Sequence, residues 1–215
     1  MMRFLGVAFV FATSLAACST DKEQSSFGLA SSYFSQQQFA PSPRFNSLFA
    51  EQRSVLDIEF IDLGVTGKLI LEQQDGAFAR YLSADLGGVV LQRGILHSVY
   101  GFGEPLAGAE LSQSLSLIIA GRSGVANRFH TYVDGEDRAQ TRTYLCEIAP
   151  VGPRDVMLEA ETVQTTLMSE RCSSLEHSFD NLYWVDTLRG EAIQSRQWVG
   201  ENVGSMVIRV TRQDF

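Results

Sequence analysis

Beyond residue 53 the dominant hydrophobic period is two. The runs "VLDIEFI", "TGKLILEQ", "GAFARYLS", "GGVVLQRG" and "ILHSVYG" alternate apolar and polar positions between Gly, Asp or Ser, which predicts five short strands with one buried face each. A helix is expected around "PLAGAELSQSL" (residues 105–115). After it come "LSLIIAG", "NRFHTYVDG", "AQTRTYLCEI" and "VMLEAETVQTTLM", and the chain closes with "NLYWVD", "AIQSRQWV" and "GSMVIRVTR". Asp134-Gly135, inside "FHTYVDGEDRAQTRTY", is a strong hairpin signal. "RFNSLFAEQR" (residues 44–53) reads as a short helix with Phe45, Leu48 and Phe49 on one face. Roughly a dozen short strands at this spacing define an all-β class: an antiparallel meander forming a barrel-like or half-open barrel domain, with one or two short helices.

The first residues follow another logic. "MMRFLGVAFVFATSLAACS" opens with Arg3 and an apolar run over residues 4–12, too short for a permanent membrane span. It ends in small residues, as secretory signals do. Leu15-Ala16-Ala17-Cys18 matches the bacterial lipobox, in which the cysteine receives a diacylglycerol and becomes the N-terminus after cleavage. The alternative is an ordinary signal peptide with an incidental cysteine. With two or more acyl chains, palmitate among them, the anchor is stable without a transmembrane helix. Serine at position 19, where aspartate retains lipoproteins in the inner membrane, favours the outer membrane. The expected organisation is a signal peptide over 1–17, a Ser- and Gln-rich lipidated tether over 18–43, and a β domain over 44–215.

Charge narrows the partners. The formal net charge of −8 becomes −9 once residues 1–17, which carry only Arg3, are removed. That balance speaks against nucleic acid and against electrostatic docking on anionic lipid. With Cys18 assigned to lipid, Cys146 and Cys172 remain in an oxidising periplasm, where such a pair usually joins. A disulfide there stabilises by about 3.5 kcal/mol in the chain-entropy account; two free thiols or a redox pair are the alternatives.

Catalytic motifs are missing from the sequence. There is no Gly-x-Ser-x-Gly, Walker loop or dinucleotide fingerprint, and His97, His130 and His177 are scattered without metal-ligand spacing. A lone strand histidine such as His130 reads as a surface or hydrogen-bonded residue. Glu159 with Glu161, and Asp57 with Glu59, alternate as the wet side of a strand does. No catalytic residue, metal ligand or cofactor is assigned.

Several stretches resemble a known family. "VVLQRGILHSVYGFGEPL" (residues 89–106), "FHTYVDGE", "TYLCEI" and "CSSLEHSFDNLYWVDTLRGEAIQSRQWVG" (residues 172–200), together with the lipobox, resemble the YjbF/GfcB family of bacterial outer-membrane lipoproteins linked to exopolysaccharide and group 4 capsule production. The resemblance covers most of residues 50–212. Arg93-Gly94 stands where Asp-Gly or Asn-Gly is expected, and Glu201 where proline is expected nearby. The resemblance implies a barrel-like lipoprotein facing the periplasm, with a non-enzymatic role in making or exporting a surface polysaccharide beside other export proteins of the envelope. It brings no catalytic residues. Two rivals stand beside it: a carrier sheltering a lipid or lipid-linked glycan in a half-open barrel, and a glycan hydrolase or esterase.

Both tryptophans lie in "NLYWVDTLRGEAIQSRQWVG". A four-residue turn would set Asp186 opposite Glu191, like charges in direct register. A two-residue Arg189-Gly190 turn puts arginine where a primed turn wants Asn, Asp or Gly. A three-residue loop over Leu188, Arg189 and Gly190 avoids both, pairing Thr187 with Glu191, Trp184 with Gln194 and Leu182 with Arg196. Trp184, Gln194, Arg196 and Trp198 then share one face and form a candidate glycan contact. The alternative is that both indoles plug the core.

Overall fold

Apart from one pair, each strand hydrogen-bonds to its sequence neighbour, and the first joins the last. The computed structural model describes residues 40–103, 106–158 and 161–212. Among them twelve strands run β1 (Val55–Phe60), β2 (Val65–Asp75), β3 (Phe78–Ser83), β4 (Gly88–Gln92), β5 (Ile95–Tyr100), β6 (Leu106–Glu110), β7 (Gly124–Val133), β8 (Ala139–Leu158), β9 (Glu161–Ser173), β10 (Ser178–Asp186), β11 (Glu191–Gly200) and β12 (Gly204–Arg212). Two helices accompany them, α1 (Pro43–Ala50) and α2 (Ser112–Ile119). The ladder order is β5-β4-β3-β2-β1-β12-β11-β10-β9-β8-β7-β6, antiparallel throughout. β5 and β6 lie side by side without a ladder. The result is a nearly closed barrel with one seam.

The alternating pattern decides what faces inward. Leu56, Ile58 and Phe60 of β1, Leu69 of β2, Val89 and Leu91 of β4, and Met206 and Ile208 of β12 pack into one core. Their neighbours point outward and carry ion pairs, Asp57 with Lys68 and Glu59 with Arg209, as do Arg171 of β9 and Asp180 of β10. A membrane-spanning barrel has the opposite arrangement, an apolar outer band around a polar lumen.

The helices obey the 3.6-residue period instead. Ser42 caps α1 by accepting the Phe45 N–H at 3.2 Å. Leu48 is buried against Val55, Ile70 and Leu82, Phe45 packs alongside, and Phe49 stays exposed. The helix expected over 105–115 lies further on. Residues 106–110 form β6, and α2 takes most of "LSLIIAG", which was expected to be a strand. Buried Leu111, Ser114 and Ile118 are spaced for a helix, and the Glu110 carboxylate accepts the Ser112 N–H at 2.9 Å at its start. Likewise "VMLEAETVQTTLM" is two strands rather than one, since β8 ends at Leu158 and β9 starts at Glu161.

Two local features shape the barrel's ends. The β4–β5 turn is Arg93-Gly94, both at positive φ (50° and 80°), so arginine adopts the left-handed conformation that Asn or Asp usually supplies. The turn docks on β11: the Ala192 N–H donates to the Arg93 carbonyl at 3.0 Å. A Cβ on Gly94 would lie 1.9 Å from the Ala192 oxygen. Elsewhere, a register shift between Pro150 and Gly152 begins an arm made of the end of β8 and the start of β9. The arm gathers Val156 and Val163 with Ile193, Trp184 and Val210 into a small core of its own.

Candidate functional site

The β10–β11 hairpin pairs Leu182 with Arg196 and Trp184 with Gln194, while Trp198 faces Ser205 of β12. Tyr183, Val185, Ser195, Gln197 and Val199 are buried, so Trp184, Gln194, Arg196 and Trp198 occupy the alternate, outward phase. The turn itself differs from the expected three-residue loop. Four residues, 187–190, connect Asp186 to Glu191, and these two are paired. A bulge in β11 between the partners of Trp184 and Val185 restores the register. The Asp186 carboxylate turns back into its own loop, accepting the N–H groups of Leu188 (2.9 Å) and Arg189 (3.1 Å) and a guanidinium bond from Arg189 (3.2 Å). That engagement relieves the like-charge pairing with Glu191.

Both indoles are half-buried. Trp184 packs under the β8–β9 arm, and Trp198 stacks on Phe179 at 5.8 Å and 12°. Phe179 in turn covers Tyr144 and the disulfide between Cys146 and Cys172, directly opposed on β8 and β9. The two sulfurs and the Glu170 carboxylate lie within 4.8 Å of one another, but sulfur held in an S–S bond is no thiolate ligand. Cys18 and Glu159 lie outside the described residues. Of the remaining alternating carboxylates, Asp57 and Glu59 are engaged with Lys68 and Arg209, and Glu161 is exposed at the start of β9.

Inside the barrel lies a polar network. Arg128 of β7 and Glu170 of β9 form an ion pair of 2.7 Å with neither side chain exposed. The same carboxylate oxygen accepts the Tyr183 hydroxyl at 2.6 Å and the Asn181 amide at 2.8 Å. Asn181 also accepts the backbone N–H of Trp198 at 2.8 Å. Arg128 Nε donates to His130 Nε2 at 2.8 Å. Because a guanidinium only donates, that ring nitrogen is bare and the proton sits on Nδ1. Nδ1–H then points to the Tyr132 hydroxyl at 3.1 Å, which donates to the Val199 carbonyl at 3.0 Å.

This wiring fixes the charge states. Burial alone would raise the Glu170 pKa, but Arg128, with Tyr183 and Asn181, holds it below the usual carboxylate value. Burial, then the charges of Arg128 and Arg142, push His130 well below the ordinary histidine value. Burial and the Glu170 charge push the Tyr183 phenol well up. The network is thus an ionised pair, a neutral imidazole and protonated phenols, all out of reach of solvent. It locks β7, β9, β10 and β11 together and presents no group to a substrate. The cavity at the barrel mouth near Tyr81, Leu91, Ala192 and Ser195 measures about 60 Å³, against about 300–1,000 Å³ for typical small-molecule sites.

Sequence reasoning missed Arg128 and Glu170 for a definable reason. In "VANRFHTYV" the more apolar phase is Val125, Phe129 and Val133, yet Ala126, Arg128, His130 and Tyr132 face inward, and Val125 is 62% exposed. The usable signal was the alternation of Arg128, His130 and Tyr132 with Met168, Glu170 and Cys172, complementary polar sets on two inward phases.

The fold and interior define a small antiparallel β-barrel domain with a closed, ionically pinned core. The chain belongs to the YjbF family, described as group 4 capsule polysaccharide lipoprotein gfcB, YjbF, which it matches over residues 61–210. The crystal structure of the hypothetical lipoprotein YmcC from Escherichia coli (K12) shares the fold, with a TM-score of 0.66 at 18% identity, covering 88% of this chain and 95% of that one. No curated protein sequence matches the chain significantly.

Proposed function

We propose that this protein is an accessory lipoprotein of surface-polysaccharide production, anchored by acyl chains on Cys18 to the outer membrane and facing the periplasm. It assists production or secretion of a capsule or exopolysaccharide beside other envelope export proteins and catalyses no step itself. The family match over residues 61–210 carries this reading. The interior supports the non-enzymatic part, because its acid, base and phenols are engaged with one another and shielded from solvent. The small mouth cavity gives little support to a carrier of lipid or lipid-linked glycan. The exposed margins of Trp184, Gln194, Arg196 and Trp198 remain part of the proposal as an auxiliary glycan surface.

Deleting the gene and quantifying polysaccharide at the cell surface tests the reading. The amount should fall, and return on complementation with wild type but not with Cys18→Ala. Unchanged polysaccharide in the deletion strain would defeat it.

A further inference from the structure

On the outer surface beside the seam, β2, β3, β4 and β5 enclose an open groove of about 330 Å³. Gln73 and Asp75 of β2, Phe78 and Arg80 of β3, and His97 and Ser98 of β5 line it. Their placement follows from register: Gln73 pairs with Arg80, Asp75 with Phe78, and Val90 sits between Arg80 and Ser98. Register shifts between Leu71 and Gln73, and between Val90 and Leu91, flank the groove on both sides. Bulges of this kind bend a sheet and re-aim side chains, here making a concavity on a face that would otherwise be convex.

The chemistry of the lining is selective. Phe78 is 38% exposed and meets the His97 ring edge-on at 5.2 Å. His97 Nδ1 is buried without a partner among the described residues. On the rest of this surface most arginines and many acids are spent on one another, as Asp57 is on Lys68 and Arg171 on Asp180. Here, among the described residues, Gln73, Asp75, Arg80 and Ser98 make no side-chain hydrogen bond or ion pair with the protein, although one acid and one arginine share the same face. An anion site would gather cations, and a lipid site would exclude charge. One carboxylate, one guanidinium, one amide and one hydroxyl around a half-exposed aromatic ring suit a ligand rich in hydroxyl groups. Such a ligand both donates and accepts, and its ring C–H groups rest on the electron-rich aromatic face.

We infer that this groove binds a short segment of a polysaccharide chain, with Phe78 as the stacking platform and Arg80, Asp75 and Gln73 as hydrogen-bonding partners. The inference rests on the polysaccharide reading above and gives the protein a direct contact with the polymer. The groove is open to the surface, so a chain can lie along it and slide without threading an end. Its volume is at the lower end of the range for small-molecule sites, which fits weak and repeated contact.

The test uses the full-length protein in detergent micelles and oligosaccharides released from the host's own surface polysaccharide by partial acid hydrolysis. Calorimetric titration should show saturable binding, with Kd of roughly 0.1–1 mM. Phe78→Ala and Arg80→Gln should each weaken it about tenfold, the effect of losing one charge-assisted hydrogen bond or one ring contact, with thermal midpoints unchanged. Leu145→Ala, an exposed outer-face change elsewhere, should bind as wild type does. No saturable binding by wild type, or wild-type affinity in both groove variants, overturns the inference. The two readings separate in cells. Lost surface polysaccharide in the deletion strain, with full rescue by Phe78→Ala and Arg80→Gln, removes the groove and keeps the accessory role. Unchanged polysaccharide on deletion removes the accessory role whatever the groove binds.

Discussion

Arg128 Nη1 and Glu170 Oε2 meet 2.7 Å apart on strands two apart in the barrel, and solvent reaches neither side chain. Desolvating two charges costs most of what their attraction returns, so such a pair is costly to break and cheap to replace whole. Glu170→Ala should lose about 3–5 kcal/mol in urea unfolding, because the guanidinium is left buried and unpaired. The double variant Arg128→Met, Glu170→Leu should lose clearly less than either single change. Additive losses in the double variant would show that the pair is not the coupling element.

The same network sets a pH dependence. His130 is neutral in the fold, and an unfolded histidine takes a proton near pH 6.5. Below that pH the unfolded chain holds the extra proton, so stability falls with pH by up to ~1.4 kcal/mol per unit from this residue. Glu170, whose folded pKa is depressed, adds a second loss at lower pH. Its contribution is complete above the ordinary glutamate value of about 4.3 and disappears as pH falls through the folded value. Glutamine at position 130 offers an acceptor to Arg128 and a donor to Tyr132 without titrating. The stability gap between wild type and His130→Gln should narrow by about 1–2 kcal/mol between pH 7 and pH 5. A gap that is constant with pH contradicts the neutral imidazole.

Two glycines at positive φ separate backbone strain from steric contact. Gly76 (φ 54°) has open space where a Cβ would go, whereas a Cβ on Gly94 (φ 80°) would strike the Ala192 carbonyl. Gly76→Ala should cost about 1–2 kcal/mol, the left-handed penalty alone. Gly94→Ala should cost about 1–3 kcal/mol more, since β11 must also move. Equal costs, measured by thermal unfolding, would place the β4–β5 turn away from β11.

Trp184 packs against the small core that Val156 and Val163 of the β8–β9 arm form with Ile193. Trp184→Ala should cost about 2 kcal/mol, less than a fully buried tryptophan, and release the arm. Trypsin should then cut faster after exposed Arg154 than in wild type. An unchanged cleavage rate would show that the arm is held by its ladder alone.

Much of this architecture was legible because a buried face imposes period two. β12 begins and ends where "GSMVIRVTR" does, and Trp184 pairs with Gln194 as the three-residue turn predicts. The turn is nevertheless a four-residue one, and a bulge in β11 makes that pairing. A charge count sees Asp186 and Glu191 as repelling, but it cannot see that Asp186 caps Leu188 and Arg189. α2 was hidden because "LSLIIAG" is too apolar for its period to stand out. The Arg128–Glu170 pair was hidden because the inward phase of β7 is the polar one. The groove residues Phe78 and His97 meet across β4, a proximity that depends on two bulges and leaves no mark on spacing.

The accessory role is tested most directly by measuring surface and periplasmic polysaccharide separately in the deletion strain. The strain is compared with the same strain carrying wild type or Cys18→Ala. The expected result is a several-fold drop in the surface fraction, restored by wild type and not by the variant that lacks its lipid site. Surface polysaccharide at the parental level in the deletion strain would contradict the account.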